Sequence, residues 1–277
     1  MPPPRSRTVM EFLSQTYVAL RGPTGGTQIP ADTIARLSDR LSPATLLADR
    51  RASVLALKGL VRDCKQDVGD RALPGLLEVL SNDAEVDADI GKAVLETLDL
   101  LCDAENTVPG NKELGLKHTN QVLANEKAIN TLFTLLGDLT FYTRFASLQL
   151  LSTLLRNRRQ IVQGYFLKTS TGPASVISVL EDKREIIRGG KYVRWFITWH
   201  QPYWFCIEAI SVVQLLIYQN ADIQKLLAFE GAFEKLFNIV TQEGGADGGV
   251  AAEGALSCVD SLLRFNSSNQ VSQLMLQ

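Results

Sequence analysis

Few side chains in this chain of 277 residues are equipped for chemistry. The soft ligands and nucleophiles are Cys64, Cys102, Cys206 and Cys258, with only His118 and His200 beside them. A zinc site draws its ligands from short spacings such as C-x2-C, because side chains one turn apart can reach the same ion. No CxxC or CxxH occurs here, and each cysteine sits among apolar residues. That pattern reads as buried free thiols in a reducing compartment. Paired carboxylates occur at Asp67/Asp70 and at Glu181/Asp182. An acid–base pair needs an enclosed cleft to drive two pKa values apart, whereas these pairs fall at the ends of apolar segments, where acids cap or solvate a turn. The glycines of 244–249 could bring backbone N–H groups to an anion at the next helix start. No Lys, Ser or Thr follows them, and Glu243 and Asp247 repel phosphate, so a flexible turn is the better reading. GxSxG, HExxH, P-loop and dinucleotide fingerprints do not occur. The chain therefore reads as no enzyme, with no cofactor and no metal.

What remains is contact chemistry. Arg50, Arg51, Arg156, Arg158 and Arg159 form small basic spots, and Asp222, Lys225 and Glu230 lie on one mixed-charge segment. These eight residues are the candidate partner-contact surface, with solvated helix ends as the plainer alternative.

Charges can act together only if some frame holds them, and the frame is legible as a repeat. An apolar segment followed by an acidic or glycine break occurs at 72–80, 129–136, 173–180 and 232–240. A second helix type carries apolar residues three and four apart: Ala52, Leu55, Ala56, Leu57 and Leu60, then Ile90, Val94, Leu95, Leu98 and Leu101. The same type returns as Phe145, Leu148, Leu151, Leu154 and Leu155, then as Val250, Gly254, Ala255, Val259 and Leu262. Such spacing marks one helix face, and acids at the starts suit the positive end of the helix dipole. Helix pairs that are apolar on both sides bury themselves by stacking on their neighbours. The expected fold is all-α, an armadillo/HEAT-like right-handed α-solenoid, with a compact non-solenoid bundle as the runner-up. Residues 1–30 read as a flexible lead-in with one short helix at 9–20. Residues 31–270 read as the repeat domain, interrupted by a loop at 103–125.

Bulk numbers agree with a scaffold. Hydrophobic residues make up 45 % and charged residues 21 %, a globular balance. The formal net charge of -2 offers no general attraction to phosphate, which argues against nucleic acid as a partner. No apolar run reaches the roughly 18 to 20 residues that span a bilayer, and no secretory signal is evident. The expected location is cytoplasmic, with membrane association peripheral at most.

One stretch breaks the pattern. Residues 189–207 hold Trp195, Trp199 and Trp204, all the tryptophans of the chain, with Tyr192, Phe196, Tyr203 and Phe205. Three readings compete: an aromatic wedge for a membrane or partner, rings packed within the core, or translated intron. The resumption of helical pattern at Val212, Val213, Leu215 and Leu216 favours the third, which predicts a poorly packed excursion. The tail 271–277 is read the same way.

Several segments together carry a resemblance: Asp49-Arg50-Arg51-Ala52, Glu185-Ile186-Ile187-Arg188, the run 220–237, Asp247-Gly248-Gly249-Val250 and Asn266-Ser267-Ser268-Asn269-Gln270. In this order they closely resemble the globular head of the general vesicular transport factor family, in a fungal form. The resemblance spans about 30–188 and 212–270, and the chain stops short of that family's full head and coiled coil. It implies an armadillo-like, non-enzymatic head of a tether in ER-to-Golgi transport, peripheral on Golgi and vesicle membranes. The partners it implies are a Rab-type GTPase, SNARE proteins and Golgi tethering factors, in a homodimer. The alternative is an armadillo adaptor of nuclear transport or the ubiquitin pathway.

Overall fold

The computed structural model describes residues 30–105, 110–180, 201–264 and 266–270. The lead-in with its expected helix at 9–20, most of the tryptophan-rich stretch (189–200) and the tail 271–277 lie outside the described residues.

All regular structure among the described residues is helical. In chain order the helices are α1 (Pro30–Asp39), α2 (Leu47–Asp83), α3 (Ala88–Cys102), α4 (Asn111–Leu123), α5 (Glu126–Leu135) and α6 (Phe141–Lys168). There follow α7 (Gly172–Leu180), α8 (Gln201–Ile217), α9 (Ala221–Phe229), α10 (Ala232–Gln242) and α11 (Val250–Leu263). Two of them are broken. Backbone angles leave the helical region at Cys64 in α2 (φ -130°, ψ 42°) and at Arg158 in α6 (φ -144°, ψ 54°). At the first break the chain doubles back, which brings Arg50 at one end of α2 to Asp83 at the other, 2.7 Å away.

An inner row consists of the first arm of α2, then α3, the first arm of α6, α8 and α11. Side-chain contacts across this row keep a constant offset. Lys58 reaches Glu96 and Lys65 reaches the Asp103 carbonyl, both 38 positions on. Thr153 reaches Asp99 and Asn157 the Cys102 carbonyl, 54 and 55 positions back. A fixed offset over several turns is possible only for helices that lie side by side and parallel. Inner helices begin at residues 47, 88, 141, 201 and 250, which is the irregular spacing of the sequence repeat. The four apolar segments 72–80, 129–136, 173–180 and 232–240 are one recurring outer element: the end of α2, then α5, α7 and α10.

Burial follows the stacking. Ile90, Val94, Leu95, Leu98 and Leu101 of α3 are all inaccessible, because α2 covers one flank of this helix and α6 the other. Burying a Leu or Ile fully is worth about 1.5–3 kcal/mol, and no isolated helix could collect that on both flanks. The structure is thus an armadillo/HEAT-like solenoid.

Three expectations need correction. In α2 the buried face is Val54, Leu57 and Val61, while Leu55 is 42 % exposed; a segment rich in Ala and Leu does not reveal which side its neighbours take. The stretch 103–125 is not all loop, since 111–123 forms α4. Its apolar signal is weak because the buried positions include Gly115, His118 and Thr119. Within the stretch 189–207, read as a poorly packed excursion, Phe205 is instead well packed. That ring is 2 % exposed, inside α8, and packs on Phe141 and Phe145.

Candidate interaction surfaces

The eight candidate contact residues fall into three places. Arg50 is turned inward: its Nε and Nη2 donate to the two carboxylate oxygens of Asp83 at 2.7 and 2.8 Å, and Nη1 meets the Thr45 carbonyl. This bidentate pair joins the two ends of the folded-back α2 and raises the guanidinium pKa. Arg51 binds Asp87, the residue that caps α3, and approaches Asp89 at 3.5 Å. Arg156 lies 3.6 Å from Glu105 and 3.7 Å from Glu208, linking α6 to α8. Arg158 sits at the break in α6 and donates to the Asn120 side chain of α4 at 2.8 Å. Arg159 places its guanidinium 4.1 Å from the centre of the Tyr218 ring. Each arginine therefore spends part of its charge holding neighbouring helices together. Asp222 and Lys225 on α9, and Glu230 just after it, are exposed. Of the eight, these three and Arg156 are exposed, and Arg156 is already engaged with Glu105 and Glu208.

Sequence reading missed a polar node at the end of α3. The last carbonyls of a helix have no partner inside it. Here three neighbouring helices supply one donor each. Lys65 of α2 donates to the Asp103 carbonyl at 2.6 Å, His118 Nδ1 of α4 to Leu101 at 3.0 Å, and Asn157 of α6 to Cys102 at 2.8 Å. Asn157 also donates to Thr119 at 2.8 Å. Burial lowers the pKa of Lys65 and of His118. Helix α4 comes this close because Gly69 and Gly115 lack side chains. A Cβ at Gly69 would fall within the His118 imidazole, and one at Gly115 within the Asp103 backbone. Glycines inside helical segments were the available clue.

Beside the node a shallow pocket of about 150 Å³ is lined by Asp99, Asp103, Glu105, Thr153, Arg156 and Asn157, among others. Burial holds the Asp99 carboxyl above its usual range, although the Thr153 hydroxyl donates to it at 2.6 Å. No base–nucleophile pair accompanies it. Burial pushes the Cys102 and Cys258 thiols up to about 12 and Cys206 to about 11, which keeps them protonated and inert. Among the described residues no group of three or more His, Cys, Asp or Glu is placed to hold a metal ion, and no helix is long and apolar enough to cross a membrane. The arrangement can present charges and hold them in register.

Comparison with known proteins gives this frame relatives. No family model matches the chain. It is 32 % identical over 262 residues to the general vesicular transport factor p115 of Bos taurus, covering 91 % of this chain and 25 % of that protein. The chain is p115/Uso1-like. The intracellular protein transport protein uso1 of Schizosaccharomyces pombe is 30 % identical over 261 residues, 94 % of this chain and 22 % of its own length. A crystal structure of Uso1 superposes with a TM-score of 0.74 at 26 % identity, over 90 % of this chain and 38 % of that one. The chain thus spans about a quarter of the length of the curated relatives it matches.

Proposed function

We propose that the protein is a non-enzymatic interaction scaffold acting in vesicle tethering on the ER-to-Golgi route. One observation carries the reading: near-complete coverage of this chain at 32 % identity by a general vesicular transport factor. The arginines engaged between helices and the protonated thiols agree with a presenting frame. The same match favours tethering over a nuclear-transport or ubiquitin-pathway adaptor. A Rab-type GTPase, SNARE proteins and Golgi tethering factors are the partners of this reading, with homodimers as the working state and a peripheral position on Golgi and vesicle membranes. Asp222, Lys225 and Glu230 are the contact residues it favours, because they are exposed and, unlike the exposed Arg156, do not bridge two inner helices. Pull-down with Rab proteins loaded with GTP or GDP tests it. Retention of one Rab in the GTP form supports the proposal, and indifference to nucleotide across the Rab set contradicts it.

A finer part of the proposal concerns origin. The tryptophan-rich residues 189–207, in a fungal form of the family, are read as retained intron, a reading that rests on composition and that the packing of Phe205 opposes at its C-terminal end. Transcript reads that join a codon near Arg188 or Gly189 to codons near 208–212 support it; an uninterrupted major transcript contradicts it.

A further inference from the structure

Three consecutive inner helices begin level with one another along one edge of the solenoid. Arg51 meets Asp89 and Lys58 meets Glu96, both 38 positions on, while Thr143 and Thr153 reach Ala88 and Asp99 at 55 and 54 positions back. These offsets align the starts of α2, α3 and α6. At that level stand Leu46, Val86 and Leu139, which are 74 %, 80 % and 85 % exposed. Leu46 is the cap residue of α2, and Val86 and Leu139 directly precede the caps Asp87 and Thr140. An aliphatic residue before a cap commonly packs on the fourth residue of its helix. In α3 that position is Gly91. In α6 it is Arg144, whose guanidinium turns inward to the carbonyls of Leu136 and Ser178. At 80 % and 85 % exposed, both aliphatic side chains stand largely in solvent.

Adjacent packed helices lie about 8–10 Å apart, so the three side chains recur along the edge at that interval. Seven residues of an α-helix rise about 10 Å. Single exposed aliphatics are ordinary on any surface, but one per helix at a common level makes a row with a period. Exposed carboxylates of Asp49 and Glu85 stand at the same helix starts, Asp89 is exposed but shared with Arg51, and the two arginines at the start of α2 are otherwise tied to Asp83 and Asp87.

We propose that this edge docks an amphipathic helix of a partner protein, one with aliphatic residues seven apart and a lysine or arginine one turn beyond each. The carboxylates select the basic side chains and repel an anionic lipid surface, so the occupant is a protein helix and not a membrane. This goes beyond the tethering proposal and does not depend on it.

A synthetic three-heptad helical peptide, with Leu at each seventh position and Lys four residues later, is a direct probe. Fluorescence anisotropy with the purified full chain should show saturable binding that weakens at least about fivefold from ~50 to ~300 mM salt. Leu46→Ser, Val86→Ser and Leu139→Ser together should weaken it at least about tenfold, a change of about 1.4 kcal/mol. The melting temperature of that variant should match the parent, because the residues replaced are exposed. A peptide with Glu in place of Lys should not bind. No binding of the Lys peptide, binding unmoved by the triple variant, or preferential binding to vesicles of phosphatidylcholine with one-fifth phosphatidylserine overturns the proposal.

Discussion

The ring of Phe205 stands 5.1 Å from the ring of Phe141, centre to centre, at the start of two neighbouring inner helices. Phe145 joins them at 6.1 Å from Phe205, and the Arg144 guanidinium lies 5.8 Å from the Phe205 ring centre. This cluster fixes α8 against α6, directly after the stretch whose composition departs most from the repeat.

Phe205→Ala should therefore cost about 3–5 kcal/mol of unfolding free energy, as for other buried phenylalanines. Urea denaturation followed by circular dichroism measures it as a lower midpoint. A change below about 0.5 kcal/mol would show that the segment 201–207 lies outside the core.

The node at the end of α3 makes a prediction about acid. Folding lowers the His118 pKa, by burial first and then by Lys65 and Lys117, with the Leu101 carbonyl and Asp70 opposing. Its Nε2 is buried without a partner beside Gly69. The unfolded chain, with a histidine pKa near ~6.5, then takes up a proton that the folded chain refuses. Stability falls as pH drops from about 6.5 toward the lower folded value, by at most about 1.4 kcal/mol per pH unit from this group. His118→Gln should flatten the melting temperature between about pH 6.5 and 5.5 relative to the parent. An unchanged slope would remove His118 as the source.

Gly69→Ala probes the same contact without changing charge. Alanine favours an exposed helix by about 1 kcal/mol, yet its Cβ would collide with a ring held on both sides. A net loss of about 1–3 kcal/mol is expected. A neutral or stabilising outcome in thermal melts would mean that α4 can move away freely.

Arg50 and Asp83, 33 positions apart in one broken helix, are both largely shielded from solvent. Their coupling in a double-mutant cycle with Arg50→Ala and Asp83→Ala should be about 1–3 kcal/mol. Charge reversal at Lys225, which is exposed, should stay within about 0.5 kcal/mol. Equal effects at the two sites would contradict the division between structural and presented charges.

Much of the frame was readable because apolar period is a property of each helix alone. The buried set of α3 and the apolar segments that became α5, α7 and α10 follow from spacing. In the structure Asn220 caps α9 by accepting from the Ile223 N–H at 3.1 Å, a position that suits its residue type. What spacing cannot show is which flank a neighbour takes, and Leu55 was misjudged for that reason. Nor can it show partners distant in sequence: Arg50 looks like a surface charge until Asp83 folds back onto it. His118 and Asn157 belong to a node whose logic lies in another helix's unpaired carbonyls. Helix α4 was missed for the same cause, since glycine, histidine and threonine share its buried face with Val122 and Leu123.

The central claim is that this solenoid works as the head of a vesicle tether. The most direct measurement replaces the matching region of S. pombe uso1 with this chain and follows export of a secreted reporter from the ER in cells that depend on the chimera. The account predicts export close to the parental rate, and loss of it when Phe205→Ala and Gly69→Ala are combined. Accumulation of the reporter in the ER at the level of a strain lacking that region, with the chimera folded and abundant, would contradict it.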